Sequence, residues 1–188
     1  MEALTIIVQW LHIVAAIMWV GGSMLLELGL RPILERLPQS VERDIGRKLG
    51  GVLAPYFAVS GSATIVFGIL RGTLFGPIRS ASTLLSPYGI VWCLALVLAA
   101  VLAVLGAAGV GRTTTRYYDA DELWPIEENL SVPVTAHEGA EGSATDRSGR
   151  SPQTSRMRRR LVSYGRLQLA GFGLILICMQ LMSEMFGN

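Results

Sequence analysis

The sequence predicts an all-α fold, a four-helix bundle that spans a membrane. Of its 188 residues 51% are apolar and only 16% are charged, and the mean hydropathy is +0.47. This composition is typical of a polytopic membrane protein rather than of a soluble domain. Four stretches also reach the roughly 20 mostly apolar residues that a helix needs to cross the ~30 Å hydrocarbon core of a bilayer. They run over residues 4–30, 51–75, 88–111 and 161–186.

The four stretches are predicted to form a single transmembrane domain over residues 1–188. The first stretch starts almost at Met1, without a basic n-region or an Ala-x-Ala-like cleavage site, so we expect a retained span and not a signal peptide. Cys93 and Cys178 both lie inside spans. Disulfide frameworks belong to small secreted domains, so both cysteines are predicted to be small buried hydrophobic residues.

The distribution of basic residues predicts the orientation of the bundle. The connectors after the first and third spans are rich in basic residues, whereas the second connector carries only Arg71 and Arg79. The basic residues of the first connector are Arg31, Arg36, Arg43, Arg47 and Lys48. Those of the third connector are Arg112, Arg116, Arg147, Arg150, Arg156, Arg158, Arg159 and Arg160. The positive-inside tendency places these two connectors in the cytoplasm and both termini outside it. We expect a multi-pass protein of the cell (inner or plasma) membrane, with the lipid bilayer as its main partner.

The sequence pattern of the first connector, residues 31–49, predicts a short helix that lies on the membrane surface. Ser40 offers a capping-box-like start. Apolar residues then recur at every fourth position, at Val41, Ile45 and Leu49.

The long third connector, residues 112–160, divides into two parts. Its first half is aromatic and acidic and is expected to pack at the interface. Its second half, residues 135–157, lacks large apolar residues and predicts a flexible, partly disordered tether that carries a solvated His137. The cluster over 156–160 is expected to set topology and to touch anionic lipid rather than nucleic acid.

Small residues recur at four-residue spacing in the second and third spans. They are Ser60, Thr64, Gly68 and Gly72, and Ala95, Ala99, Ala103 and Ala107. Such stripes let helix backbones approach closely, which is how helices associate in lipid. They predict a compact bundle, although the same faces would also suit a second subunit or a second copy of the chain.

His12 is the one histidine in the hydrophobic part of the chain. An ionisable group inside a membrane is costly unless it is held, and it marks a candidate functional site. Its helical face also carries Ala15, Ala16, Gly22 and Ser23, small residues that would leave a hollow for a flat macrocycle with Trp19 on its edge. The alternative is a histidine that is hydrogen-bonded to a neighbouring helix.

Sulfur ligands are predicted near the level of His12. Counting 1.5 Å per residue from the outer ends of the first and fourth spans places Cys178, Met179 and Met182 at about the depth of the imidazole. A Met thioether opposite a His is a known axial pair for haem iron, and the same soft atoms suit Cu(I). Methionine as a flexible core filler is the simpler alternative.

Charged residues near the span ends have two interpretations. Arg71 and Arg79 lie at the outer face, where they would pair with haem propionates or extend to the lipid headgroups. At the other face, Glu27 is expected to pair with Arg31 or with Arg166 in a structural role.

The segment from Trp10 to Pro32 carries Leu-His near its start, then Trp-Val-Gly-Gly, then Arg-Pro at its end. It resembles the first helix of the copper-resistance protein D superfamily of small membrane proteins and, more loosely, of the HemJ-type protoporphyrinogen oxidases. In the haem-binding members the first-helix histidine is an axial ligand to b-type haem, which implies that His12 is the ligand here. The HemJ-type proteins also need a lysine in a later helix, whereas the only lysine here is Lys48 in the first connector. This departure argues against porphyrinogen oxidation.

The leading hypothesis is a membrane protein that binds one haem b through His12, with Met179 or no residue in the sixth position, and that acts in electron transfer or haem-based redox chemistry. It would work as a subunit of a respiratory assembly or as an oligomer. The alternatives are a copper-handling protein that uses His12 with Met179, Met182 and Cys178, and an accessory subunit without a cofactor. Whether the chain is an enzyme stays open, although the absence of a nucleophile–base pair argues against hydrolysis.

Overall fold

The computed structural model describes residues 2–119 and 152–187, and both ranges are helical, with no strand in either. This confirms the predicted all-α class. The α-helices are α1 (Glu2–Met24), α2 (Arg31–Leu34), α3 (Gln39–Thr73), α4 (Ala81–Leu84), α5 (Pro87–Val104), α6 (Arg112–Asp119) and α7 (Pro152–Gly187), and two π-helical segments are π1 (Leu25–Leu30) and π2 (Leu105–Gly111).

Four continuous helical rods in the described ranges are long and apolar enough to cross a membrane. They are Glu2–Leu34, Ser40–Thr73, Pro87–Asp119 and Ser155–Met185. The first rod joins α1, π1 and α2, and the third joins α5, π2 and α6. The four predicted stretches are therefore confirmed as helices with the length and apolar composition of membrane spans.

The predicted helix in the first connector is confirmed from Gln39 onward, but its prediction as a separate short helix is wrong. Residues 39–49 form the start of α3, which runs without interruption for 35 residues, because extending a helix costs less than nucleating a new one. The predicted cap at Ser40 is also wrong. Pro38 is the N-cap residue, and its carbonyl oxygen accepts the first helical bond from the backbone N–H of Glu42 at 2.9 Å.

The long connector is shorter than predicted at both ends. The third rod continues to Asp119, and α7 starts at Pro152, inside the predicted tether. The remainder of that tether, with His137, lies outside the described residues.

The centre of the bundle is a contact between three rods. Trp19, Leu102 and Phe172 are buried together, and the rings of Trp19 and Phe172 meet edge to face with centroids 5.1 Å apart. Since lipid tails are as apolar as these side chains, the stabilisation comes from close packing rather than from removal of water. Cys178 is buried as predicted and Cys93 is half-buried, and both are free thiols.

A second cluster lies at what we term the basic end of the bundle, where α2, the start of α3, α6 and the start of α7 meet. Tyr117 and Leu161 are buried there, and the Tyr118 ring covers Gly46. The Arg158 guanidinium lies 2.6 Å from a Glu35 carboxylate oxygen. The described part of the long connector, residues 112–119, therefore packs onto the bundle, and the rest of its aromatic and acidic half lies outside the described residues.

Three glycines of α3 lie under rings, and two of them, Gly68 and Gly72, belong to the predicted small-residue stripe. A Cβ atom added to Gly61 would crowd the Trp19 indole, one at Gly68 would crowd the His12 imidazole, and one at Gly72 would collide with Trp92. The stripe thus permits close helix approach, and at Gly68 it also positions the candidate site.

Candidate functional site around His12

His12 lies on α1 with its ring half-buried against α3. The Nδ1 atom is 2.9 Å from the carbonyl oxygen of Thr64. Because a carbonyl oxygen only accepts hydrogen bonds, the shared hydrogen belongs to Nδ1. The neutral imidazole then keeps its lone pair on Nε2.

The local sequence of α3 makes this hydrogen bond possible. Gly68 follows Thr64 by one helical turn, and a Cβ atom at Gly68 would lie 3.0 Å from Cε1 of His12. A residue with a side chain would therefore crowd the ring, which would have to shift by a few tenths of an ångström. The hydroxyl of Thr64 bonds within its own helix, to the Ser60 carbonyl at 2.8 Å, so the backbone alone holds the imidazole.

No described residue donates or accepts a hydrogen bond at Nε2 of His12. An imidazole with Nδ1–H bonded to a backbone carbonyl and with a free Nε2 is the arrangement that metal-ligating histidines commonly adopt. The geometry accordingly combines both sequence interpretations: His12 is hydrogen-bonded to a neighbouring helix, and it keeps one nitrogen available for a ligand.

Arg71 is brought close to this site by Gln9. Gln9 precedes His12 by about one helical turn, and its side-chain oxygen accepts a hydrogen bond from Nε of Arg71. A second guanidinium nitrogen donates to the Phe75 carbonyl at 3.1 Å. Arg79, by contrast, is exposed in the connector between α3 and α4, so only one of the two predicted arginines lies near the imidazole.

The register of α1 and α7 places Met179 at the level of His12. Trp19 meets Phe172 and the Glu27 carboxylate lies against Gly165, so the two helices run antiparallel. Seven residues, or about 10 Å along each axis, separate Trp19 from His12 and Phe172 from Met179. The Met179 side chain is 37% exposed.

Trp19 and the small residues beyond it are engaged elsewhere. The indole packs in the core, about two turns from the imidazole. Gly22 is covered by Tyr56 and Phe57, and the Ser23 hydroxyl donates to the Trp19 carbonyl at 2.8 Å. The predicted hollow on this face is thus filled at Gly22, because the aromatic residues of α3 occupy it.

A cavity of about 810 Å³ opens instead toward the basic end of the bundle. It lies between the four rods, starts at Trp19 and Gly61 and reaches Glu42 and Arg116, and His12 does not line it. No sequence pattern predicted this cavity. The sequence features that accompany the cavity are the glycines at the start of α3 and in π2. From the helical pattern alone, such glycines are explained by close helix packing.

The described residues contain no cluster of three or more His, Cys, Asp or Glu side chains that would hold a metal ion. Comparisons of the chain with protein families, with curated proteins and with solved structures found no match.

Proposed function

We propose that this chain is a multi-pass protein of the cell membrane that binds one b-type haem through Nε2 of His12 and acts in electron transfer or haem-based redox chemistry. It would do so as a subunit of a larger assembly. The observation that carries the proposal is the hydrogen bond from Nδ1 of His12 to the Thr64 carbonyl. It fixes the ring and its tautomer and leaves one nitrogen for iron.

The residues around the imidazole fit that role. A backbone carbonyl that accepts the Nδ1 hydrogen orients a ligating histidine and makes its other nitrogen more basic. Gly68 leaves the space in which the ring adopts this position. A single histidine is the proximal ligand in many haem proteins, and haem supplies one-electron redox chemistry when bound.

Two further residues fit a haem at this level. Arg71 has guanidinium hydrogens beyond those given to Gln9 and Phe75, and an arginine fork suits propionate carboxylates. Met179 shares the level of His12 on the antiparallel helix, and its thioether is a known axial partner.

The orientation belongs to the same proposal. The basic connectors lie in the cytoplasm and both termini lie outside it. The end of the bundle with Gln9 and Arg71 is then the extracytoplasmic end, and His12 lies in the outer half of the membrane.

An absorption spectrum of the purified protein, oxidised and then reduced, tests the proposal. A Soret band that shifts on reduction supports it. The informative variant is His12→Asn, because the Asn side-chain amide sits where Nδ1 does and can still donate to Thr64, while nothing replaces Nε2. We expect a folded protein without haem from His12→Asn and a normal spectrum from His137→Asn. Full haem retention in His12→Asn would overturn the ligand assignment.

Met179 is tested separately with Met179→Leu, which conserves volume. If the thioether is the sixth ligand, the substitution changes the spin state and the visible spectrum but not the haem content. An unchanged spectrum would show that Met179 is not a ligand.

A copper-handling function is the second candidate, and the burial of the free Cys178 thiol favours it. The thiol is buried at 4% exposure, and half-buried Met182 follows it by one helical turn. Soft sulfur ligands beside an imidazole suit Cu(I). Copper bound to a colourless protein, and lost in Cys178→Ser, would favour this function over haem binding.

A further inference from the structure

The cavity at the basic end is separate from the His12 site, and we term it the channel because its lining extends along the rods. Along α3 its lining extends from Glu42 to Ser62, a distance of about 30 Å at 1.5 Å per residue. A cavity of this extent and of about 810 Å³ has room for an extended alkyl chain.

The lining changes from apolar to charged along this length. Aromatic and small apolar residues, among them Trp19, Phe57 and Ala58, surround the deep part. The mouth carries the charged groups, four arginines and three glutamates. The cavity therefore matches an amphipathic molecule with its chain inside and its head at the mouth.

The charge at the mouth favours an anionic head group. Arg31 is paired with Glu27 at 2.7 Å and Arg158 with Glu35 at 2.6 Å. Arg112 and Arg116, one turn apart on α6, also line the cavity, and neither is paired with a carboxylate among the described residues.

Both π-helical segments border this cavity. Leu26 and Glu27 of π1 and Gly106 and Ala107 of π2 are among its lining residues. π-Helical segments are rare and occur frequently at functional sites. The cavity therefore lies beside two local departures from regular α-helix.

We infer that the cavity binds one anionic phospholipid, with an acyl chain between the rods and the phosphate between Arg112 and Arg116. Basic pockets between transmembrane helices on the cytoplasmic side are known to take such head groups. This site does not depend on haem at His12.

Gly50 offers a direct test of the chain site. It lines the cavity midway along α3, and a Cβ atom added there meets nothing within 4 Å. A leucine at this position would project into the channel without a backbone collision. The neighbouring Gly51 is equally open but exposed and outside the lining, so Gly51→Leu is the matched control for Gly50→Leu.

The experiment is native mass spectrometry of the full chain, exchanged into detergent with added phosphatidylglycerol or phosphatidylcholine. We expect one retained phosphatidylglycerol per chain in wild type and in Gly51→Leu, and at least tenfold lower occupancy in Gly50→Leu. Circular dichroism of both variants checks that they fold. Equal occupancy in the two folded variants, or no retained phospholipid in wild type, would overturn the proposal.

The head-group site is tested with Arg112→Gln combined with Arg116→Gln. At about fivefold for each basic residue, the double substitution should lower the preference for phosphatidylglycerol over phosphatidylcholine by about 25-fold. An unchanged preference would overturn the head-group assignment. Displacement of the bound lipid by millimolar inorganic phosphate would show a phosphate site rather than a lipid site. The absorption spectrum of Gly50→Leu should remain that of wild type, which separates this test from that of His12.

Discussion

The Nδ1 atom of His12 lies 2.9 Å from the backbone carbonyl oxygen of Thr64, a residue 52 positions further along the chain. This bond joins α1 to α3 at the point where Gly68 leaves α3 without a side chain. It explains how a polar ring is accommodated in an apolar helix, and it determines which ring nitrogen is free.

Gly68→Leu should displace the imidazole from the Thr64 carbonyl. Overpacking of a close contact costs about 1–3 kcal/mol, and we expect the free energy of unfolding in detergent, followed by circular dichroism, to fall by that amount. Haem retention should fall with it. Gly21→Leu is the control on α1, since a Cβ atom at Gly21 meets nothing within 4 Å. Equal stability of the two variants would contradict the close contact.

The Trp19–Phe172 ring pair should show energetic coupling. Edge-to-face aromatic pairs contribute about 0.5–1.5 kcal/mol beyond area burial, so a double-mutant cycle of Trp19→Leu and Phe172→Leu should give about 1 kcal/mol in the unfolding free energy. Trp10, which is 62% exposed, supplies the comparison: a cycle of Trp10→Leu with Phe172→Leu should give a value near zero. Similar coupling in both cycles would argue against a specific ring contact.

Replacing one partner of the Glu27–Arg31 ion pair should lower the free energy of unfolding more than replacing both partners. The two side chains are only 10% and 17% exposed, with 2.7 Å between their charged atoms. Arg31→Met leaves the Glu27 carboxylate without its partner and should cost about 3 kcal/mol, whereas Arg31→Met together with Glu27→Gln should recover most of that loss. Thermal or denaturant unfolding measures both. A double variant less stable than Arg31→Met would count against this pairing.

The Glu35–Arg158 contact should respond to a charge swap. Glu35→Arg alone places two arginines together and should lower stability by up to about 1 kcal/mol, and the double exchange with Arg158→Glu should restore it. The effect should shrink at high salt. The Asp44–Lys48 pair is 73% and 79% exposed, and the same exchange there should change the unfolding temperature little.

The all-α fold class and the number of long apolar helices follow from the sequence because both depend on local composition. A run of some 20 apolar residues is helical in lipid whatever surrounds it, since its backbone has no other hydrogen-bond partners. The Glu27–Arg31 pair was predicted for a similar reason, as residues four apart share a helix face. Helix boundaries were less predictable: α3 continues through Gly50 and Gly51 because its turns are already formed.

By itself the sequence determined that four apolar helices form and that a lone histidine lies inside the first of them. Only the tertiary structure decided what that histidine contacts, because the partner carbonyl of Thr64 and the open backbone at Gly68 come from another helix. The same holds for the channel at the basic end. Its walls come from all four rods, and space between helices depends on how side chains from distant positions meet, which no single helical pattern encodes.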